Sequence, residues 1–378
     1  MQKKLIALAV AAAFSAPAFA DTTVYGVLDA GYGDTSKTIT TAVTGATLKT
    51  GQTAISFSQA TSSRLGFLNT EDLSNGMKVA LKVETGIGSN QAAAAGYGTT
   101  TAVGTNGTTI DATKLGSREL NLTLGLGEGT SIYAGYGSTP VRDFTFAYDA
   151  ALGGNLVGNM VTMDAATGSN RATTIDVIHQ FGPLKGTIGF LANTDHTDGK
   201  TDTQVGNGFQ AAVQYAQDAL SVAFAYQSQK VVTVAATAPF GAATDVTTKV
   251  GILAASYDFG MAKAFGEYAN VKTDDAVTAT AIGTGTRSFG SVGVDVPFTT
   301  AFMGFAQVSF GSQNQATVAT AAGVSRNTSG YTVGVKYSMS KTTWAYASVG
   351  ETKLDAGAIA SASGIKIDQY ALGLAHSF

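Results

Sequence analysis

The chain has 378 residues, of which 44% are hydrophobic and only 13% are charged, and its formal net charge at pH 7 is −3. It contains no cysteine, so an exported form has no disulfide bonds and depends on backbone pairing and burial for its stability. The slight excess of acidic residues does not favour nucleic acid as a partner, because nucleic-acid binding needs a basic patch.

The first twenty residues have the three-part order of a secretory signal peptide. Two lysines precede an apolar run over residues 5–14 that is too short to span a bilayer, and an Ala-Phe-Ala cleavage site ends at Ala20. A short buried helix is the alternative. We therefore predict that residues 1–20 are cleaved and that residues 21–378 form a single domain, since no linker or change of composition divides them.

The rest of the chain repeats one pattern, in which runs of residues alternate between apolar and polar side chains. Residues 77–84, MKVALKVE, place Met, Val, Leu and Val on one face, and residues 119–126, ELNLTLGL, separate four leucines from polar residues and glycine. Successive side chains in a strand point to opposite faces, so each run predicts a strand with one apolar face. A soluble β-sandwich shows the same alternation, so this pattern alone leaves the fold open.

The connections between these runs differ systematically in length. Seven tight turns are predicted, near residues 73–76, 127–129, 182–183, 217–218, 258–260, 297–299 and 338–341. They alternate with eight long loops rich in Thr, Ala and Gly, near residues 34–52, 88–112, 139–170, 196–204, 232–244, 274–284, 313–326 and 355–364. Such connections join about sixteen antiparallel strands with both chain ends on the turn side, as a closed transmembrane β-barrel requires.

The end of the chain supports the barrel. Tyr370, Leu372, Leu374, His376 and Phe378 share one face of the last predicted strand, and further aromatic residues cluster beside the tight turns. An aromatic girdle at the membrane interface is typical of outer-membrane barrels. A barrel of this size is too wide for its own side chains to fill, so it encloses water.

Several segments carry a resemblance to a known family. TVYGVLDAGYG at 23–33, SRLGFLNTEDLSNGMKVALKVETG at 63–86, GEGTSIYAGYGSTP at 127–140 and YALGLAHSF at 370–378 resemble the first strands and the closing strand of the trimeric general porins of the Gram-negative outer membrane, betaproteobacterial type. The resemblance covers the whole chain in order. Two positions depart from it, because family members usually carry a basic residue where this chain has Gly135 and Ala375.

The resemblance implies a sixteen-stranded barrel in the outer membrane, a homotrimer, and passive diffusion of ions and small hydrophilic solutes. It also implies that the third loop folds into the lumen. The expected partners are outer-membrane lipid and, during biogenesis, periplasmic chaperones and the barrel-assembly machinery. The residues expected to form the assembly signal are Tyr370, Leu372, Leu374 and Phe378.

The candidate constriction combines a strand wall with the third loop. Parity places Arg64, Lys82 and Glu84 on the lumen face, and the loop contributes Arg142, Asp143 and Asp149. Acids on the loop opposite bases on the wall would create a transverse field across a narrow water-filled passage. For the loop charges, a solvated position at the rim is the alternative. Arg118 shares parity with the outward leucines, so we expect it at the rim unless a bulge intervenes.

Other classes of function are less well supported by the sequence. The three histidines are not grouped in sequence with a nucleophile and an orienting acid, so no enzyme, cofactor or metal site is expected. An outer-membrane lipid hydrolase with an exterior Ser-His pair is a distant alternative. The main rival to a porin is a secreted or surface-attached β-rich adhesin, which would lack a lipid-facing band and would be extracted without detergent.

Overall fold

A computed structural model describes residues 20–41, 44–87, 115–150, 152, 154–163, 171–192, 203–205, 208–234, 243–275, 285–315, 324–356 and 363–378. The predicted signal peptide therefore lies, apart from Ala20, outside the described residues. The helical segments are a 3-10 turn at Ser74–Gly76, helix α1 at Pro140–Ala147 and helix α2 at Met160–Met163. No helix among the described residues is long and apolar enough to cross a membrane.

Strands make up almost all of the remaining described structure. In chain order they are β1 Ala20–Thr40, β2 Thr47–Phe57, β3 Arg64–Asp72, β4 Lys78–Gly86, β5 Glu119–Gly127, β6 Thr130–Ser138, β7 Arg171–Phe181, β8 Leu184–Leu191, β9 Thr203–Val205, β10 Gly208–Gln217, β11 Leu220–Val234, β12 Ala243–Asp258, β13 Lys263–Asp275, β14 Gly285–Pro297, β15 Phe302–Gln315, β16 Val324–Ser338, β17 Thr343–Leu354 and β18 Gly364–Ser377.

These eighteen segments form one antiparallel sheet that closes on itself through the pairing of β1 with β18. Strands β2 and β3 both pair with β1, and β9 and β10 both pair with β11. Each of these two pairs is a single barrel strand with an interruption, so the barrel has sixteen strands. The predicted strand number and closure are confirmed.

The two faces of the sheet differ as the alternation predicts. On β18, Tyr370 and Leu372 are about 60% exposed, whereas Ala371 and Ala375 on the other face are buried. Because a closed sheet pairs its backbone groups internally, its outer face can carry apolar side chains against lipid. Aromatic residues near the tight turns, including Phe259 and Phe298, are also exposed on this outer face.

The chain terminus completes the barrel. The Phe378 backbone N–H donates to the Gly26 carbonyl at 3.1 Å, and the Gly26 N–H donates to the Phe378 carbonyl at 3.0 Å. A Cβ at Gly26 would lie 2.5 Å from the Phe378 ring, so a glycine allows the terminal aromatic ring to lie across β1. The last residue is therefore an integral part of the closing strand pair.

The tight turns lie where they were predicted, but several strands extend further than expected on the loop side. The loop predicted near residues 34–52 is wrong in its extent, because β1 and β2 stay paired up to Thr40 and Thr47. These extensions are mostly polar, with Ile39 and Leu48 as isolated apolar residues, so they carry little alternation in hydrophobicity, yet backbone pairing does not need one. The loop predicted at 88–112 lies outside the described residues.

Candidate functional site in the barrel lumen

The described residues of loop three, 139–150, 152 and 154–163, lie inside the barrel and are fixed to the wall formed by β15–β18. The backbone N–H groups of Val157 and Gly158 donate to Gln369 Oε1 at 3.0 Å and to Thr352 Oγ1 at 2.7 Å. The Thr332 hydroxyl donates to the Val157 carbonyl, and the Ala150 N–H donates to Gln307 Oε1 at 2.9 Å. The wall side chains face inward, so these bonds hold loop three within the lumen.

Apolar packing reinforces this position. Val141 of α1 and the two methionines of α2 are at most 1% exposed. They pack on inward-facing residues of β11–β14, namely Ala225, Val250, Ile252, Ala269, Val271 and Phe289. Apolar side chains on the lumen face would be costly in contact with water, and loop three covers them. The loop therefore fills one side of the lumen and leaves the passage beside β3–β7.

The wall of β3–β7 carries a network of paired charges. Glu84 Oε1 accepts a hydrogen bond from Arg118 Nε at 2.6 Å. Glu84 Oε2 accepts one from the Tyr25 hydroxyl at 3.0 Å and lies 3.6 Å from Arg64 Nε. Lys82 Nζ lies 2.8 Å from Glu119 Oε2. Arg64, Lys82 and Glu84, which strand parity predicted to face the lumen, line one cavity on this wall.

Arg142 of α1 faces this wall from the loop side. It is 8% exposed, and its guanidinium carbon lies 3.9 Å from the centroid of the Phe146 ring, which is a cation–π contact. Burial, followed by repulsion from Arg171 and Arg118, lowers the pKa of Arg142. A guanidinium still keeps its proton at neutral pH. The loop therefore adds a positive charge to a wall that is already rich in bases.

Together these groups enclose a cavity of about 270 Å³. Five basic and two acidic side chains line it, which gives a net formal charge of three positive; they are Arg64, Lys82, Glu84, Arg118, Glu119, Arg142 and Arg171. Positive charges gathered in a narrow aqueous passage raise the local concentration of anions. We refer to this space as the basic cavity.

Asp143 lies on the other side of α1. It is exposed, and it lines a second cavity of about 250 Å³ together with Tyr133, Asp176 and Lys185. Helix α1 therefore lines both cavities: Arg142 and Phe146 line the basic cavity, and Asp143 and Phe144 line the second cavity. Asp143, which the sequence predicted as a constriction residue, therefore lines the second cavity and not the basic cavity.

Asp149 lies elsewhere and does not line the basic cavity. It is 9% exposed, it lines neither cavity, and it interacts electrostatically with Glu267 of β13, which accepts a hydrogen bond from Ser291 at 3.0 Å. The physical reason is that the chain turns toward the β13–β15 side after α1, where the next residue, Ala150, bonds to Gln307.

Arg118 is also placed differently from its predicted rim position. It lies in a bend just before β5, so strand parity does not extend to it, and its side chain points inward to Glu84. Glu119 was missed, although its place on the polar face of β5 could have revealed it. Parity could not have revealed Arg171. It is the first residue of β7 and has the same parity as the outward-facing Ile175 and Val177, so parity would place it on the outer face.

Gly135 has a backbone reason to be glycine. Its φ is +139°, and a Cβ there would overlap the Leu120 carbonyl of β5. A larger side chain therefore cannot enter without shifting β6 or β5. The base that the family resemblance implies at this position is absent, yet Arg118, Arg142 and Arg171 still make the basic cavity positive.

Comparisons with known proteins agree with this architecture. A family model described as Gram-negative porin matches residues 7–357. An anion-selective porin from Comamonas acidovorans is similar in structure, with 20% identity, a TM-score of 0.65, and coverage of 95% of this chain and 100% of that chain. No curated protein matches the chain.

Other solved structures share the fold at lower identity. The trimer form of in-vitro folded OmpT from Vibrio cholerae has 12% identity and a TM-score of 0.61, covering 95% of this chain and 99% of that chain. OmpF from Salmonella typhi, in complex with daunomycin, has 14% identity and a TM-score of 0.56, covering 94% and 97%. At these identities the likeness concerns the fold.

Proposed function

The chain belongs to the Gram-negative porin family, and we propose that loop three and the β3–β7 wall narrow its lumen to a constriction that passes small anions more readily than cations. The protein is an outer-membrane general diffusion porin, whose water-filled barrel passes ions and small hydrophilic solutes. Porins are typically channels without enzymatic activity. The adhesin alternative is not favoured.

The observation that carries the anion preference is the charge of the basic cavity. Four of its bases belong to the β3–β7 wall and the fifth belongs to loop three, so bases line the cavity from two sides. Glu84 and Glu119 are already paired with bases and cannot neutralise the remainder. The solved porin from Comamonas acidovorans is itself anion-selective, which is consistent with this proposal.

The loop acids take different roles in this proposal. Asp143 is exposed to the lumen and attracts cations near the constriction, whereas Asp149 is buried and does not line the basic cavity. Arg64, Lys82, Glu84, Arg142 and Asp143 are therefore proposed as the constriction residues. No cofactor or metal is proposed.

Assembly follows the family pattern in this proposal. We infer that residues 1–20 are removed on export, that residues 21–378 form the barrel domain, and that three copies associate in outer-membrane lipid. The solved OmpT trimer shows that a barrel of this fold can assemble in this way. We further infer that periplasmic chaperones and the barrel-assembly machinery recognise the last strand, where Tyr370, Leu372, Leu374 and Phe378 are exposed on one face.

The test is the reversal potential of single channels under a potassium chloride gradient at pH 7. The wild-type channel should show the sign of an anion-preferring pore. Asp143→Asn should increase the anion preference, because it removes a negative charge from the lumen. The matched substitution Asp149→Asn should leave the sign and size of the reversal potential nearly unchanged. A cation-preferring wild-type channel would overturn the proposal.

A further inference from the structure

The second barrel strand is interrupted at residues 58–63, which we call the elbow. It begins at Ser58, whose φ of 74° is uncommon for a residue other than glycine. Ala60 is 1% exposed and packs inside the barrel with Leu156 of loop three and Tyr346 of β17. The elbow therefore leaves the sheet toward the lumen instead of forming an outer bulge.

A buried carboxylate on β1 holds the elbow in place. Asp29 is 0% exposed, and its Oδ2 accepts the backbone N–H groups of Ala60 at 2.7 Å and Thr61 at 2.8 Å. Its Oδ1 accepts the Tyr346 hydroxyl at 2.6 Å. Hydrogen bonds to an ionised acceptor are about twice as strong as neutral ones, so this arrangement ties the elbow to two barrel strands at the closing seam.

The elbow in turn contacts loop three. The Asn155 backbone N–H donates to the Ala60 carbonyl at 3.2 Å, and its Nδ2 donates to the Ser58 carbonyl at 3.0 Å. Asn155 lies between Ala150 and Val157, which bond to β15 and β18, so loop three contacts both the strand wall and the elbow.

The elbow also reaches the basic cavity. Thr61 and Ser62 line that cavity, and the Ser62 carbonyl accepts a hydrogen bond from Arg64 Nη1 at 2.9 Å. The elbow thus occupies space beside the passage and orients one of its charged groups. Asp29 itself has no exposed surface, so it acts on passing solutes only through the elbow.

We propose that the elbow is a second constricting segment, and that Asp29 and Tyr346 are positioning residues that set the width of the pore. This inference rests on the constriction proposed above. It concerns width, whereas the anion preference concerns charge. Conductance in 1 M salt, where the Debye length is about 3 Å, reports width with the lumen charges largely screened, so either proposal can fail without the other.

The first experiment compares Asp29→Asn with the matched variant Asp34→Asn. Asp34 lies on the same strand on the opposite face, so both variants lose one carboxylate of β1. An asparagine at position 29 would direct an N–H₂ donor at groups that are themselves donors. The Asp29 variant should spend about tenfold more time in wider conductance levels, the factor expected from loss of a charge-assisted hydrogen bond, and should admit larger neutral polymers. Asp34→Asn should match the wild type.

Two further variants keep the test decisive if Asp29→Asn does not assemble. Tyr346→Phe removes only one donor, and Asn155→Ala separates loop three from the elbow; both should widen the pore to a smaller extent. Ser62 Oγ and Asn155 Oδ1 lie 3.4 Å apart, and the chain has no cysteine of its own, so Ser62→Cys with Asn155→Cys can test the contact directly.

The disulfide should restore the narrow level in the widened variant, Asp29→Asn or Tyr346→Phe, and a reductant should remove the restoration. The proposal is overturned if assembled Asp29→Asn or Tyr346→Phe trimers keep the wild-type conductance and polymer cut-off in 1 M salt. It is also overturned if the disulfide forms and the pore stays wide.

Discussion

Replacing Arg142 by glutamine should weaken the anion preference by a predictable amount. Arg142 is 8% exposed, stacks on Phe146 and lines the basic cavity from the loop side. Glutamine keeps part of the side-chain volume and removes the charge. The net formal charge of the residues that line the cavity then falls from three positive to two positive.

The size of the effect follows from the Coulomb energy of a passing ion. At about 7 Å from a unit charge in water, a monovalent ion has an interaction energy of about 0.6 kcal/mol. A Debye length of about 10 Å at 0.1 M salt reduces this energy to about 0.3 kcal/mol. Anions lose and cations gain this amount, so the anion-to-cation permeability ratio should fall about threefold at 0.1 M and by only about 20% at 1 M.

The assay is the reversal potential of single channels under salt gradients centred on these two concentrations. Lys78→Gln is the control, because Lys78 lies at the start of β4, pairs with Asp72 at 2.9 Å and does not line either lumen cavity. It should leave the reversal potential unchanged. If Arg142→Gln has no effect at 0.1 M, ions do not pass close to α1, and the proposed position of the constriction is wrong.

The remaining predictions concern the loop, the last strand and the oligomer. Gly158→Ala should raise conductance, because at φ +87° a Cβ would overlap the Tyr331 carbonyl and displace loop three. Gly186→Ala is the control, since Gly186 has open space around it, and it should leave conductance unchanged. Equal conductance in both variants would contradict this reasoning. Deleting Phe378 should lower the amount of protein in the outer membrane far more than it lowers the yield of folded protein in detergent micelles. The deletion removes the bonds to Gly26 and the aromatic end of the strand. Normal surface levels of the deletion variant would refute an assembly role. The purified protein should run as a trimer in sodium dodecyl sulfate before boiling and as a monomer afterwards, and identical mobility in the two samples would count against a stable trimer.

Features that depend on neighbouring residues could be predicted from the sequence. The period-two alternation gave the outward face of β18, and the spacing of tight turns and long connections gave sixteen barrel strands. The same parity placed Arg64, Lys82 and Glu84 on the lumen side. The loop-side strand ends were predicted too early, because polar extensions such as residues 34–40 pair through their backbones without an apolar face.

Features that depend on distant residues required the tertiary structure. The elbow is held by Asp29, whose carboxylate also bonds to Tyr346; these two residues are 317 positions apart, and nothing in the local sequence of either one indicates the other. Asp149 and Asp143 are six positions apart, yet one is buried beside Glu267 and the other is exposed to the lumen.

The lumen charge shows the same division. The whole chain is slightly acidic, but the closed barrel brings bases from β3, β4, β7, the bend before β5 and loop three around one cavity. Alternation is a local consequence of strand geometry, so the sequence by itself determines which side chains face lipid and which face the lumen inside the regular strands, but not at strand ends such as Arg118 and Arg171. Which lumen side chains meet is decided by strand register, barrel closure and the path of loop three, and these arise only when segments far apart in sequence pack against one another.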